Sequence, residues 1–308
     1  MTDDATTEPP SFPGARRPDR RRKVDAGGIS IATYEWGDPH APPLFCVHGG
    51  LDFAATFDLL APLLADEGWR VVAWDQRGHG DSGRAALYSW DADLRDALAV
   101  MESTTTSAAP VVGHSKGGAL MTQFADALPH KISRLVNLDG LPSRQAMPDV
   151  IDHDRTRLLA AELQAWLDHR RQSADAVRKP GTLDELARRR ARLNPRLPMA
   201  WLHYIASIGA RHDPDGWRWK LDPSMRFGGF GPWRLEWGAQ RLAGLAMPLL
   251  GVLATVPEEM GWATRPEDVR KVLPPGARLE ALADTGHFLH IERATTIAGL
   301  VIEHVGRP

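Results

Sequence analysis

Short apolar runs alternate with longer stretches of helical spacing along most of the chain. Leu44-Phe45-Cys46-Val47, Arg70-Val71-Val72-Ala73-Trp74, Pro110-Val111-Val112-Gly113 and Ile132 to Leu138 each read as a short strand. Residues 53–66, 91–101 and 119–128 carry helical spacing between them, with a clear apolar stripe at Leu94, Ala97, Leu98 and Met101. Strands and helices in this alternation predict a mostly parallel sheet with helical crossovers. The same rhythm resumes at 248–253, 265–272, 278–282 and 291–305.

Residues 141–245 break the rhythm. They are Arg-rich and helical over 155–169 and 183–193, then rich in Pro, Gly and Trp, with no convincing strand alternation. The pattern predicts an α/β core of residues 24–140 and 246–308 with a helical lid, residues 141–245, inserted into it. Residues 1–23 hold Pro9, Pro10, Pro13 and Pro18 and the basic cluster Arg20-Arg21-Arg22-Lys23, without an apolar stretch. They are expected to be a disordered tail.

Composition narrows the function classes. The chain has 308 residues, one cysteine and a net charge of -2. Cys46 alone excludes an intramolecular disulfide and a Cys-cluster zinc site. The charge balance offers no argument for nucleic acid or a membrane surface as partner. No apolar run reaches the roughly 18 residues of a spanning helix, and no hydrophobic segment follows the basic cluster. A cytoplasmic location is expected. No metal-ligand spacing and no G-x-G-x-x-G after a strand occur, so neither metal nor cofactor is expected.

The candidate chemistry begins at Gly113-His114-Ser115-Lys116-Gly117, a G-x-S-x-G directly after a strand and before a helix. A serine in that sharp turn is exposed as a nucleophile, and the following helix points its amides and positive dipole end at a developing oxyanion. Serine needs a base to accept its proton. His287, in the loop after the last strand, stands where the base belongs in chain order, with His290 as competitor. Cys46-Val47-His48-Gly49-Gly50 ends the first core strand, and a His-Gly-Gly turn lets backbone amides approach a substrate closely. The amides of Gly50 and Lys116 would together form the oxyanion hole, with His48 fixing the loop.

These stretches, with Asp75-Gln76-Arg77-Gly78-His79-Gly80-Asp81-Ser82 and Gly286-His287, resemble the α/β-hydrolase fold family. Asn194-Pro195-Arg196-Leu197 and Trp217-Arg218-Trp219-Lys220-Leu221-Asp222-Pro223 are similar to its capped, esterase-type branch of serine hydrolase-like proteins. The resemblance implies an eight-stranded, mostly parallel sheet with helices on both faces and a lid after strand six. It also implies that Arg77-Gly78-His79-Gly80 is a structural turn, which leaves Asp75, His79 and Asp81 outside the active site.

The third triad member orients the imidazole and stabilises its cation. In many family members it is an aspartate counted from a proline that opens strand seven. Here that proline is Pro248 and the corresponding position is Pro257. Asp139, just past strand six, is the favoured replacement, and Glu258 or Glu259 in the loop after strand seven is the alternative. Lys116, beside the nucleophile, either pairs with a nearby carboxylate or favours a negatively charged substrate.

The expected function is hydrolysis of a carboxylic ester or related acyl compound through an acyl-serine, with lactone, thioester or carbon–carbon bond hydrolysis as runners-up. A non-catalytic binding protein of the same fold is the alternative class. Of eleven Trp, Trp166, Trp201, Trp217, Trp219, Trp233 and Trp237 fall in the lid. Most should pack lid on core. Trp217, Trp219 and Trp233 are candidates to line a pocket for an apolar or aromatic acyl group.

Overall fold

A computed structural model describes residues 10–142, 152–225 and 235–308. In chain order the elements are β1 (Arg20–Asp25), β2 (Ser30–Trp36), β3 (Pro43–Val47), α1 (Leu60–Asp66), β4 (Arg70–Trp74), α2 (Trp90–Glu102), β5 (Ala109–His114), α3 (Lys116–Ala127) and β6 (Ile132–Leu138). Then come α4 (Asp152–Ser173), α5 (Leu183–Leu193), α6 (Met199–Gly209), β7 (Ala210–Asp213), β8 (Gly216–Trp219) and α7 (Leu235–Leu242). The chain closes with β9 (Leu249–Ala254), α8 (Pro266–Val269), β10 (Arg278–Leu282), α9 (Leu289–Glu292) and α10 (Ala294–Val305).

The central sheet has eight strands in the order β1-β2-β4-β3-β5-β6-β9-β10. β1, β2 and β4 pair antiparallel, and every pair from β4 onward is parallel. Successive side chains of a strand point to opposite faces, and here both faces are covered. Phe45 and Val47 of β3 face one cluster with Val72, Val111, Leu135 and the helices α2 and α3. Leu44 and Cys46 face the other, with Val71, Val112, Val136 and the helices α1 and α10. Strands buried on both faces read as continuous apolar runs, which is why they are visible in the sequence.

Three boundaries differ from expectation. Residues 20–23 are not a disordered tail: they form most of β1, paired along its whole length with β2. The basic cluster has an internal partner. Glu35 on β2 is buried, and Arg22 Nε, Arg70 Nη2 and Arg20 Nε reach its carboxylate at 2.8, 2.7 and 3.2 Å. Upstream, Phe12 packs edge-on against Trp201 of α6 at 5.2 Å. Residues 1–9 lie outside the described residues.

The segment between β6 and β9 is not purely helical. β7 and β8 form an antiparallel hairpin, with His212 opposite Trp217. Its strands are only four residues long, Ala-Arg-His-Asp and Gly-Trp-Arg-Trp, too short for the Trp217/Trp219 alternation to stand out in the sequence. The insertion also ends earlier than residue 245. Leu242 at the end of α7 and Leu245 just after it are buried in the sheet cluster with Leu120 and Phe124 of α3. The insertion's own core joins Leu186 and Ala187 of α5 and Trp201, Leu202, Tyr204 and Ile205 of α6 to Phe53, Leu59, Phe288 and Ile291. It therefore sits on the loops after β3 and β10, which hold the candidate residues Gly50 and His287. Among the described residues, no helix is long and apolar enough to cross a membrane.

Candidate active site

The nucleophile candidate stands between β5 and α3. Ser115 has φ 51° and ψ −121°, a conformation that side chains rarely adopt and that costs on the order of 1–3 kcal/mol. The turn is held because its surroundings leave no other path. A Cβ on Gly113 would meet the Gly117 carbonyl oxygen at 2.6 Å, and one on Gly117 would overlap the Val47 carbonyl oxygen. The Ser115 amide donates to the Leu138 carbonyl at 2.9 Å, which ties the elbow to the end of β6. Lys116 opens α3, so its amide has no carbonyl one turn earlier to bond.

After the next strand in sequence, Asp139 follows β6 in a left-handed conformation, φ 49°. Its amide donates to the Val252 carbonyl and its Oδ1 accepts from the Ala254 amide at 3.0 Å, both on β9. That leaves Oδ2 for His287, whose Nδ1 lies 2.6 Å away. A carboxylate can only accept, so Nδ1 carries the hydrogen and Nε2 keeps a free lone pair. His287 and Asp139 are both buried.

The His287 backbone is held as firmly as its ring. Its amide donates to Glu258 Oε2 at 2.6 Å and its carbonyl accepts from His114 Nε2 at 2.9 Å. His114 is the residue before Ser115, so nucleophile turn and base loop share a hydrogen bond. Glu258 thus reaches the backbone of His287 and not its ring. Burial raises its carboxyl pKa. Glu259 is exposed. His290 is buried, with Nε2 on Thr56 Oγ1 at 2.8 Å, and burial pushes it down to about 3.

The loop after β3 is fixed from the core. His48 Nδ1 donates to the Gly49 carbonyl at 2.7 Å. That carbonyl and the Gly50 amide belong to one peptide plane, so the bond sets the direction of the expected oxyanion donor. His48 Nε2 accepts from the Gln76 amide at 2.9 Å, and burial pushes His48 down to about 3, keeping it neutral as this pattern requires. Gln76 Nε2 donates to the His48 carbonyl at 2.6 Å. Leu51, at φ 60°, donates its amide to His79 Nε2 at 3.2 Å.

Lys116 places its ammonium between Gln76, which holds this loop, and a carboxylate. Nζ lies 2.7 Å from Asp93 Oδ2 and 3.0 Å from Gln76 Oε1, above the Trp90 ring. Of its two weighed roles, the structure places it in the carboxylate pair. Asp75 accepts from the amides of Ala54 and Asp81 and from Tyr34, an internal brace for two loops. Among the lid tryptophans, Trp219 packs on Phe53 at 6.4 Å and Trp217 meets His212 of its own hairpin at 5.0 Å. Trp233 lies outside the described residues. Asp93, Asp52 and Arg190 are brought to this region without any motif that marks them, and Gln76, inside the 75–82 stretch, gains its role only from the fold.

The structure thus holds a strained serine at the carboxyl end of a parallel strand, and a carboxylate-bound histidine whose carbonyl bonds the residue before that serine. A family model described as the alpha/beta hydrolase fold matches residues 42–294, and the chain belongs to that family. It is similar to a serine hydrolase-like protein of Dictyostelium discoideum, 36% identical over 125 residues, which are 38% of this chain and 34% of that protein. A serine hydrolase-like protein of Danio rerio is 35% identical over 107 residues, 34% of this chain and 32% of that protein. The matched stretch thus spans about a third of the length of these relatives. The thioesterase domain from the curacin biosynthetic pathway superposes with a TM-score of 0.79 at 26% identity, covering 92% of this chain and 99% of that one. Family and neighbours together support a hydrolase.

Proposed function

We propose that the protein is a serine hydrolase that cleaves a carboxylic ester or related acyl compound through an acyl-serine. The observation that carries this is the 2.6 Å contact between His287 Nδ1 and Asp139 Oδ2, in a loop that His114, the neighbour of the strained Ser115, ties to the elbow through the His287 carbonyl. Ser115 Oγ attacks the acyl carbon while His287 Nε2 takes its proton. The amides of Gly50 and Lys116 hold the oxyanion. The tetrahedral intermediate collapses, His287 gives the proton to the leaving group, and water repeats the sequence to free the acid. Asp139 keeps the imidazole in the required tautomer and stabilises its cation.

An apolar or aromatic acyl group fits the aromatic character of the insertion, where Trp219 packs on Phe53 three residues past Gly50. The likeness to a thioesterase domain favours a thioester as an alternative acyl donor for the same residues. Short and long p-nitrophenyl esters and acyl thioesters, offered to wild type and Ser115→Ala, test the reading. Turnover of at least one class, lost by about 10³-fold or more in the variant, is expected. Equal turnover by both proteins would contradict it.

A further inference from the structure

The loop bearing the Gly50 amide is held on its inner side by the core residues His48, Gln76 and His79. Among the described residues, one hydrogen bond reaches it from the insertion. Arg190 on α5 donates Nη1 to the Leu51 carbonyl at 2.8 Å. Leu51 is left-handed at φ 60°, and its amide is already committed to His79. Such a conformation costs a side-chain-bearing residue roughly 1–2 kcal/mol, so it persists only while both ends of the residue are tied.

Arg190 is buried and touches the next residue as well, with Nη2 3.5 Å from Asp52 Oδ1. Its guanidinium also lies over the Phe288 ring, 5.6 Å from the centroid. Phe288 follows His287 directly. One side chain of the insertion therefore contacts both the oxyanion loop and the residue beside the base. Among the described residues, neither oxygen of the Asp52 carboxylate has a well-formed hydrogen bond, with only Thr56 and the Phe53 amide near it, and Arg190 Nε and Nη2 have none either. The pair is thus a loose one, and the bond to the Leu51 carbonyl is the well-formed contact.

We propose that Arg190 is a positioning residue. By bonding the Leu51 carbonyl, it makes docking of the insertion a condition for a correctly set oxyanion loop. This rests on the serine-hydrolase reading above. A buried arginine supplied by the insertion would then set catalytic rate, while the apolar surface of the same segment sets substrate affinity.

The test compares Arg190→Met, Arg190→Lys and the double variant Asp52→Asn/Arg190→Met with wild type. Readouts are kcat and KM on the best ester of the panel and affinity for an alkyl boronic acid, whose tetrahedral adduct needs the oxyanion hole. Removing an oxyanion donor outright costs about 10²–10³ in kcat, so misplacing one should cost about 10–100-fold. Arg190→Met is expected to lose kcat by that factor with KM within about threefold and boronate affinity falling in parallel. Arg190→Lys, which can still donate to the carbonyl, should recover part of it. The double variant should stay as slow as Arg190→Met, because the missing bond and not an unpaired Asp52 charge is the cause.

Unchanged kcat, a loss confined to KM, or recovery in the double variant would overturn the proposal. If Arg190→Met does not fold, the same comparison of kcat, KM and boronate affinity on Arg190→Lys decides. The control separates the two readings. Absence of Ser115-dependent turnover in wild type defeats the hydrolase itself. Its presence with a fully active Arg190→Met defeats the positioning role alone.

Discussion

Ser115, His287 and Asp139 come from three different loops, and each is held by its backbone before its side chain does anything. Ser115 and Asp139 both sit at positive φ, near 50°, at the ends of neighbouring parallel strands. Asp139 Oδ1 spends its capacity on β9, so Oδ2 is directed to the imidazole. Glu258 holds the amide of the same histidine. This separates two carboxylates that the sequence left as alternatives. Asp139→Asn offers the ring an amide and allows the wrong tautomer, so kcat should fall by about 10²–10⁴. Glu258→Gln still accepts from the His287 amide and should stay within about tenfold. Steady-state kinetics on both variants decide, and the reverse order would move the acid to the loop after β9.

At the scale of elements, two junctions hold the scaffold around the site, and both are charged. The edge strand β1 is pinned by Glu35. Burial disfavours its charge, but hydrogen bonds from Arg70 and Arg20 and the charge of Arg22 hold its pKa below the usual carboxylate range. The unfolded chain then takes up that proton first as pH falls. The stabilisation is complete above the ordinary glutamate range and is lost on acidification. Glu35→Gln should lower stability at neutral pH by roughly 1–3 kcal/mol, given arginines that remain partly solvated, and the gap should close in acid. Chemical denaturation at several pH values measures it; a gap independent of pH would contradict the pairing.

The second junction ties the insertion to the core. Tyr204 of α6 donates to Asp58, a fully buried carboxyl with Arg17 3.9 Å away. Burial pushes Asp58 up to about 7, and the bond from Tyr204 and the charge of Arg17 only partly offset it. Its folded value lies above the unfolded one, so its contribution is complete at low pH and is lost as pH rises through about 7. Wild-type Tm should decline from about pH 6 to 8 by more than that of Asp58→Asn, which keeps an acceptor for Tyr204 without a titration. Parallel curves would contradict the assignment.

Over the whole molecule, what was legible follows what is local. The strands β3 to β6, the elbow and the His-Gly-Gly turn are continuous runs of a few residues, buried or sharply turned for reasons contained in those runs. The basic cluster of β1 reads as a tail because its partner, Glu35 on β2, is invisible to composition. The hairpin β7–β8 leaves little trace in the sequence because its short strands bury little. Choosing between Asp139 and Glu258 needed the adjacency of β6 and β9, a pairing separated by the entire insertion. Arg190 carries no motif at all, since its meaning lies in the Leu51 carbonyl 139 positions away.

The most direct test of the central claim is intact-mass spectrometry after treatment with a fluorophosphonate, which phosphonylates an activated serine. Wild type should gain one adduct, mapped by peptide digestion to Ser115, and Ser115→Ala should gain none. An adduct formed equally by both proteins, or no adduct on folded wild type, would contradict an activated nucleophile at this elbow.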